Sequence, residues 1–128
     1  MRDRILIVDD DEELTDELSE ILRDENYNVS AAYDGLKAKE ALDKNNYDLI
    51  LLDLKLPSIS GYELLKLIKG KEGAPKVIVI SGSPSAKKNT ENEPDDPESS
   101  TLSLADELFN KPFDTEELLK SISRLLAS

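Results

Sequence analysis

Neither cysteine nor histidine occurs anywhere in this 128-residue chain. Without cysteine there is no disulfide framework and no thiolate metal site, which fits a reducing compartment. Without histidine the commonest general base, the commonest zinc ligand and any Ser/His triad are excluded. Basic charge is also short, with 16 Lys and Arg against 28 Asp and Glu and a formal net charge of −12. An electrostatic grip on nucleic acid or on anionic lipid is therefore not expected. No apolar run is long enough for a signal peptide or a membrane span, so a cytoplasmic protein is expected. What remains for chemistry is carboxylates, lysines and hydroxyls, and oxygen ligands suit a hard cation such as Mg²⁺ or Mn²⁺.

A chain of this length supports one ordinary domain with one core, here taken as residues 1–128. Residues 5–8 (Ile-Leu-Ile-Val) form a continuous apolar run ending in Asp9-Asp10-Asp11, the pattern of a fully buried strand. Leu14, Leu18, Ile21 and Leu22 then recur at helical spacing, predicting a helix over 12–25 that Asn26 ends. A short strand over 27–33 leads through Asp34-Gly35 to a small helix carrying Leu36, Ala38, Ala41 and Leu42 on related faces. Residues 49–54 form the next buried strand. A loop over 57–61 leads into a helix over 62–69, and residues 77–80 form a fourth strand closing at Ser81-Gly82. A last strand is expected near Leu108-Phe109, and a final helix capped by Asp114 presents Leu118, Leu119, Ile122, Leu125 and Leu126. Strands alternating with helices imply a parallel sheet covered on both faces. Residues 83–103 break the pattern, with Pro84, Pro94, Pro97, an acidic run and almost nothing apolar. They are expected to form a solvated, mobile loop and no regular helix.

In open parallel sheets, ligands bind outside the carboxyl ends of the strands where strand order reverses. The polar residues of this chain gather at those ends: Asp9, Asp10 and Asp11 after the first strand, Asp53 at the third, Ser81 at the fourth, Lys111 past the fifth. An acid after a strand is by itself commonly a turn residue, and Asp11, Glu12 and Glu13 suit the start of a helix. Four strand ends agreeing carries more weight, and converging carboxylates repel unless a cation lies among them.

The stretches Ile5-Leu6-Ile7-Val8-Asp9-Asp10, Leu51-Leu52-Asp53-Leu54-Lys55-Leu56-Pro57 with Gly61 beyond, Val79-Ile80-Ser81-Gly82 and Asn110-Lys111-Pro112-Phe113 together resemble the receiver domains of two-component response regulators. The resemblance implies an α/β fold with a doubly wound, five-stranded parallel sheet in order 2-1-3-4-5, flavodoxin-like, whose fourth helix is here degenerate or disordered. It implies that Asp53 is the phosphoacceptor and that Asp10, Asp53 and the Lys55 backbone carbonyl bind Mg²⁺ or Mn²⁺, with Asp9 acting through water. By the same resemblance Ser81 follows phosphorylation, Gly82 leaves room for that movement, Lys111 contacts the phosphate and Pro112 matches a cis proline. Its partners would be a sensor histidine kinase or histidine phosphotransfer protein and an unknown output protein. It would not be an enzyme beyond its own phosphorylation and dephosphorylation.

Leu108 departs from the family, which commonly has an aromatic or histidine three residues before the lysine that turns inward on activation. Leu108 is therefore an altered switch position, with Phe109 pointing to the other face of the strand. The alternative of a phosphorylation-independent pseudo-receiver is opposed by intact Asp53 and Lys111. A phosphatase with an aspartyl nucleophile would need an acid two residues after it, where Lys55 stands.

Overall fold

The apolar runs become the strands of a single sheet. In the computed structural model, which describes residues 3–82 and 101–127, they are β1 (Arg4–Val8), β2 (Asn28–Ala32), β3 (Leu49–Asp53), β4 (Lys76–Ser81) and β5 (Glu107–Asn110). They lie in the order β2-β1-β3-β4-β5 and every neighbouring pair is parallel. The helices assigned among the described residues are α1 (Glu12–Asp24), α2 (Gly35–Lys44), α3 (Gly61–Lys69) and α4 (Thr115–Ala127). The alternating pattern implies the parallel sheet with both faces covered, and the family resemblance implies its doubly wound, flavodoxin-like strand order.

The three central strands, β1, β3 and β4, carry unbroken apolar runs because both faces of the sheet are covered there, whereas the edge strands β2 and β5 are only partly buried. Ile5, Ile7, Leu49, Leu51, Ile78 and Ile80 pack with Leu18 and Leu22 of α1 and Leu118 and Ile122 of α4. Leu6, Val8, Ile50, Leu52, Val77 and Val79 pack on the opposite face with Ala38 of α2 and Leu64, Leu65 and Ile68 of α3. Each such Leu or Ile, removed fully from water, contributes about 1.5–3 kcal/mol. The helices begin where side chains satisfy their free amides. Asp11 accepts from Leu14 N, Asp34 from Lys37 N and Ser60 from Glu63 N. Asp114 accepts from the amides of Glu116 and Glu117. Asn26, with φ 69°, turns the chain out of α1 in the left-handed region that Asn tolerates.

Two expectations need correcting. Leu36 does not share the buried face of α2: Ala38 is buried and Ala41 and Leu42 pack beside it, but Leu36 is exposed. The loop expected over 83–103 does not extend to its last residues. Thr101 and Leu102 are helical, Thr101 is buried, and Leu102 packs on the α2/α3 layer. Leu102 and Ala105 both pack on that layer, which the low apolar content of the whole segment concealed. The expectation for residues 83–100 falls outside the described residues.

Candidate functional site

Parallel pairing brings all five strand C-termini to one edge. The chain passes from β1 to β2 on one side and then to β3 on the other, so strand order reverses between β1 and β3. Val8 is in register with Leu52, so Asp9 and Asp53, one residue further along, meet at that crevice. Both are buried, whereas Asp10 is exposed. One carboxylate oxygen from each of Asp9, Asp10 and Asp53 lies within 4.8 Å of the others.

Lys111 reaches this cluster from the loop after β5. Its Nζ donates to Asp9 Oδ2 at 3.0 Å and, more distantly, to Asp53 Oδ2 at 3.5 Å. Its backbone amide donates to the Ser81 carbonyl at 2.8 Å, tying the lysine to the end of β4. The Lys111–Pro112 peptide is cis. The remaining oxygens take backbone donors: Asp9 Oδ1 accepts from Asp11 N at 2.9 Å and Asp53 Oδ1 from Lys55 N at 3.2 Å. The second bond puts the Lys55 peptide beside Asp53 while its side chain faces water. Beneath the acidic turn, the buried Thr15 hydroxyl donates to the Asp11 carbonyl at 2.8 Å. Nothing in the sequence singled out Thr15 for this, because a polar residue on an amphipathic helix reads as solvent-facing.

Burial is the main influence on the Asp53 carboxyl and the Asp9 charge adds to it. Together they outweigh the Lys55 amide and the Lys111 ammonium and push Asp53 up to about 6. Burial works to lower the Lys111 ammonium, but the bond to Asp9 and the charges of Asp53 and Asp9 prevail and hold it above its ordinary value. Three carboxylates against one ammonium leave uncompensated negative charge, and their oxygens suit a hard divalent cation.

The other singled-out residues lie around this cluster. Ser81 is buried at the end of β4. Gly82 is open enough that an added Cβ would only touch the Lys111 side chain, at 3.7 Å. Leu108 is 40% exposed, and Phe109 packs on the α1/α4 layer, so the two residues face opposite ways as alternation requires. Asp11 serves as the cap of α1. Gly35, which the sequence marks only as part of a turn, sits against the loop that follows Asp53. No sequence pattern could have found that contact, since its partner is more than twenty residues away.

Residues 5–123 match the family described as the response regulator receiver domain. Among curated relatives, the response regulator ArlR of Staphylococcus aureus is 38% identical over 126 residues, covering 96% of this chain and 52% of its own length. The chain thus spans about half the length of the relatives it matches. Among solved structures, the response regulator protein TrrA of Thermotoga maritima, in complex with Mg(2+)-BeF, superposes with TM-score 0.81 at 30% identity, covering 96% of this chain and 98% of that one. A CheY-like receiver domain protein of Methanospirillum hungatei JF-1 gives TM-score 0.85 at 30% identity, covering 99% and 95%.

Proposed function

The chain belongs to the response regulator receiver domain family, and on that footing we propose that it is a phosphoryl-accepting switch whose acceptor is Asp53. The observation that carries this reading is the meeting of Asp9, Asp10 and Asp53 with Lys111 at the crevice between β1 and β3. The described residues hold no helix long and apolar enough to cross a membrane. Residues 1–128 are read as one receiver domain in the cytoplasm.

Asp53, ionised at neutral pH despite its raised pKa, is the nucleophile. One of its carboxylate oxygens forms a bond to phosphorus while the bond from phosphorus to the donor breaks, the donor being the phosphohistidine of a sensor kinase or phosphotransfer protein. Asp10, Asp53 and the Lys55 carbonyl would hold Mg²⁺, with Asp9 acting through water. When bound, the cation supplies positive charge that offsets charge on the transferring group. Lys111 is already drawn into the cluster by its bonds to Asp9 and Asp53, and would re-aim at the new phosphate. Ser81, one strand over, would donate its hydroxyl to a phosphate oxygen, and Gly82 would let the β4 end follow. Leu108 stands where an inward-turning ring would otherwise report the change, so the readout is expected to differ there. No separate substrate is turned over, and the output is altered protein contacts.

The test is intact-mass analysis after incubation with acetyl phosphate and Mg²⁺. One added phosphoryl mass is expected, lost in Asp53→Asn and in EDTA. Equal labelling of Asp53→Asn, or indifference to EDTA, would overturn the assignment. Absence of labelling in the parent chain would favour a phosphorylation-independent interaction module.

A further inference from the structure

The loop between Asp53 and α3 is gripped by two glycines from different helices. At its far end Gly61 donates to the Leu54 carbonyl at 3.0 Å. A Cβ at position 61 would run into the Asp53 carbonyl oxygen and reach the Leu54 Cα at 2.5 Å. In its middle, Gly35, the first residue of α2, donates to the Pro57 carbonyl at 3.1 Å. A Cβ at position 35 would collide with the Ile59 carbonyl oxygen, and would lie 2.7 Å from Ile59 Cβ and 2.8 Å from Ile59 N. Between these contacts Ser58 is held at φ 72°, a conformation a non-glycine residue keeps only when its surroundings impose it. Gly35 does not have a left-handed φ, and Asp34 already caps α2. Glycine at 35 is thus required by the space that Pro57 and Ile59 occupy, not by the turn.

We propose that Gly35 is a positioning residue for the candidate metal site: by letting the first turn of α2 seat directly on Pro57 and Ile59, it fixes the loop that carries the Lys55 backbone carbonyl. The inference rests on the reading of that carbonyl as a cation ligand. Restoring ordinary carbon contact after adding a methyl at position 35 requires the Ile59 backbone to retreat by on the order of 1 Å. Mg²⁺ demands near-octahedral oxygens at roughly 2.0–2.1 Å and does not follow such a shift. Loss of a group bonded directly to a ligand costs roughly 10- to 100-fold in metal affinity, and a support acting through Pro57 and Ile59 falls at the low end of that range.

The experiment measures Mg²⁺ affinity by calorimetry at a temperature where circular dichroism shows each variant fully folded. Gly35→Ala should raise the Kd tenfold or more. Asp34→Ala, which removes the cap of the same helix without placing atoms against the loop, should lower Tm but leave the Kd within twofold. Ile59→Ala keeps the atoms that face Gly35 but removes the side chain that packs the loop on the α2/α3 layer, inserts nothing, and should raise the Kd at least threefold, so the inference stays testable if Gly35→Ala fails to fold. A Kd unchanged in folded Gly35→Ala, or in Ile59→Ala, would overturn it, as would equal weakening in Asp34→Ala. Absence of Mg²⁺ binding in the parent would overturn the cation reading and this inference together, whereas parental binding with unaltered variants overturns the inference alone.

Discussion

Replacing Asp53 with asparagine should make the metal-free protein more stable at neutral pH while removing its phosphoacceptor. The carboxyl sits at about 6 in the folded chain against an ordinary 3.8, raised by burial and by Asp9. The folded state therefore binds this proton more tightly than the unfolded state. The associated stability is present below about pH 4 and is lost as pH rises through about 6. A shift of about 2 units corresponds to roughly 3 kcal/mol, and solvent reaching the cluster on the side of the exposed Asp10 and partly exposed Lys111 screens this to about 1.5 kcal/mol. Asparagine resembles the protonated acid in shape and charge, and Lys111 keeps its shorter bond to Asp9. In EDTA at pH 7.5 the variant should resist urea by about 1.5 kcal/mol more than the parent, or several degrees in Tm. At pH 5, still above the sequence pI of about 4.4, the gap should shrink by about half, because the parental carboxyl is then largely protonated when folded. Mg²⁺ should narrow the gap at pH 7.5 by stabilising the parent. A variant less stable than the parent at pH 7.5 in EDTA, or a gap that does not change between pH 5 and 7.5, would refute the view that Asp53 is held ionised at a cost.

Asp10→Ala should abolish the rise in Tm that Mg²⁺ gives the parent, and an unchanged Mg²⁺ response in thermal melts would remove Asp10 from the site. Gly61→Ala should lower unfolding free energy by about 1–3 kcal/mol or more through overpacking against the Asp53–Leu54 backbone, read by urea titration. A loss under about 0.5 kcal/mol would show that the backbone yields freely there. Phe109→Ala should cost at least about 1 kcal/mol more than Leu108→Ala, because Phe109 is partly buried and packs against the core while Leu108 is exposed. Equal losses in denaturant would mean that β5 presents its other face inward.

By its pattern alone the sequence determined the elements and the edge where they act. Short continuous β-branched and leucine runs bounded by turn residues read as strands covered on both sides, and each ends in a polar residue whose position along the chain is fixed by that run. Asp9, Asp10, Asp53, Ser81 and Lys111 were therefore legible as one edge before any coordinates, since parallel strands necessarily share their ends. Helix starts at Asp11, Asp34 and Asp114 were equally local, being set by a side chain and an amide two or three residues away. Tertiary structure decided what depends on distant partners. The exposure of Leu36 follows from where α2 lies on the sheet, and the burial of Thr101 and the packing of Leu102 from a core that their own neighbourhood does not announce. That Lys111 bonds more closely to Asp9 than to Asp53 is settled by the approach of the β5 loop to β1 across two intervening strands. Gly35 reads as an ordinary turn glycine until the fold lays Ile59 against it. Contacts of this kind join residues far apart in sequence, and local periodicity holds no record of them.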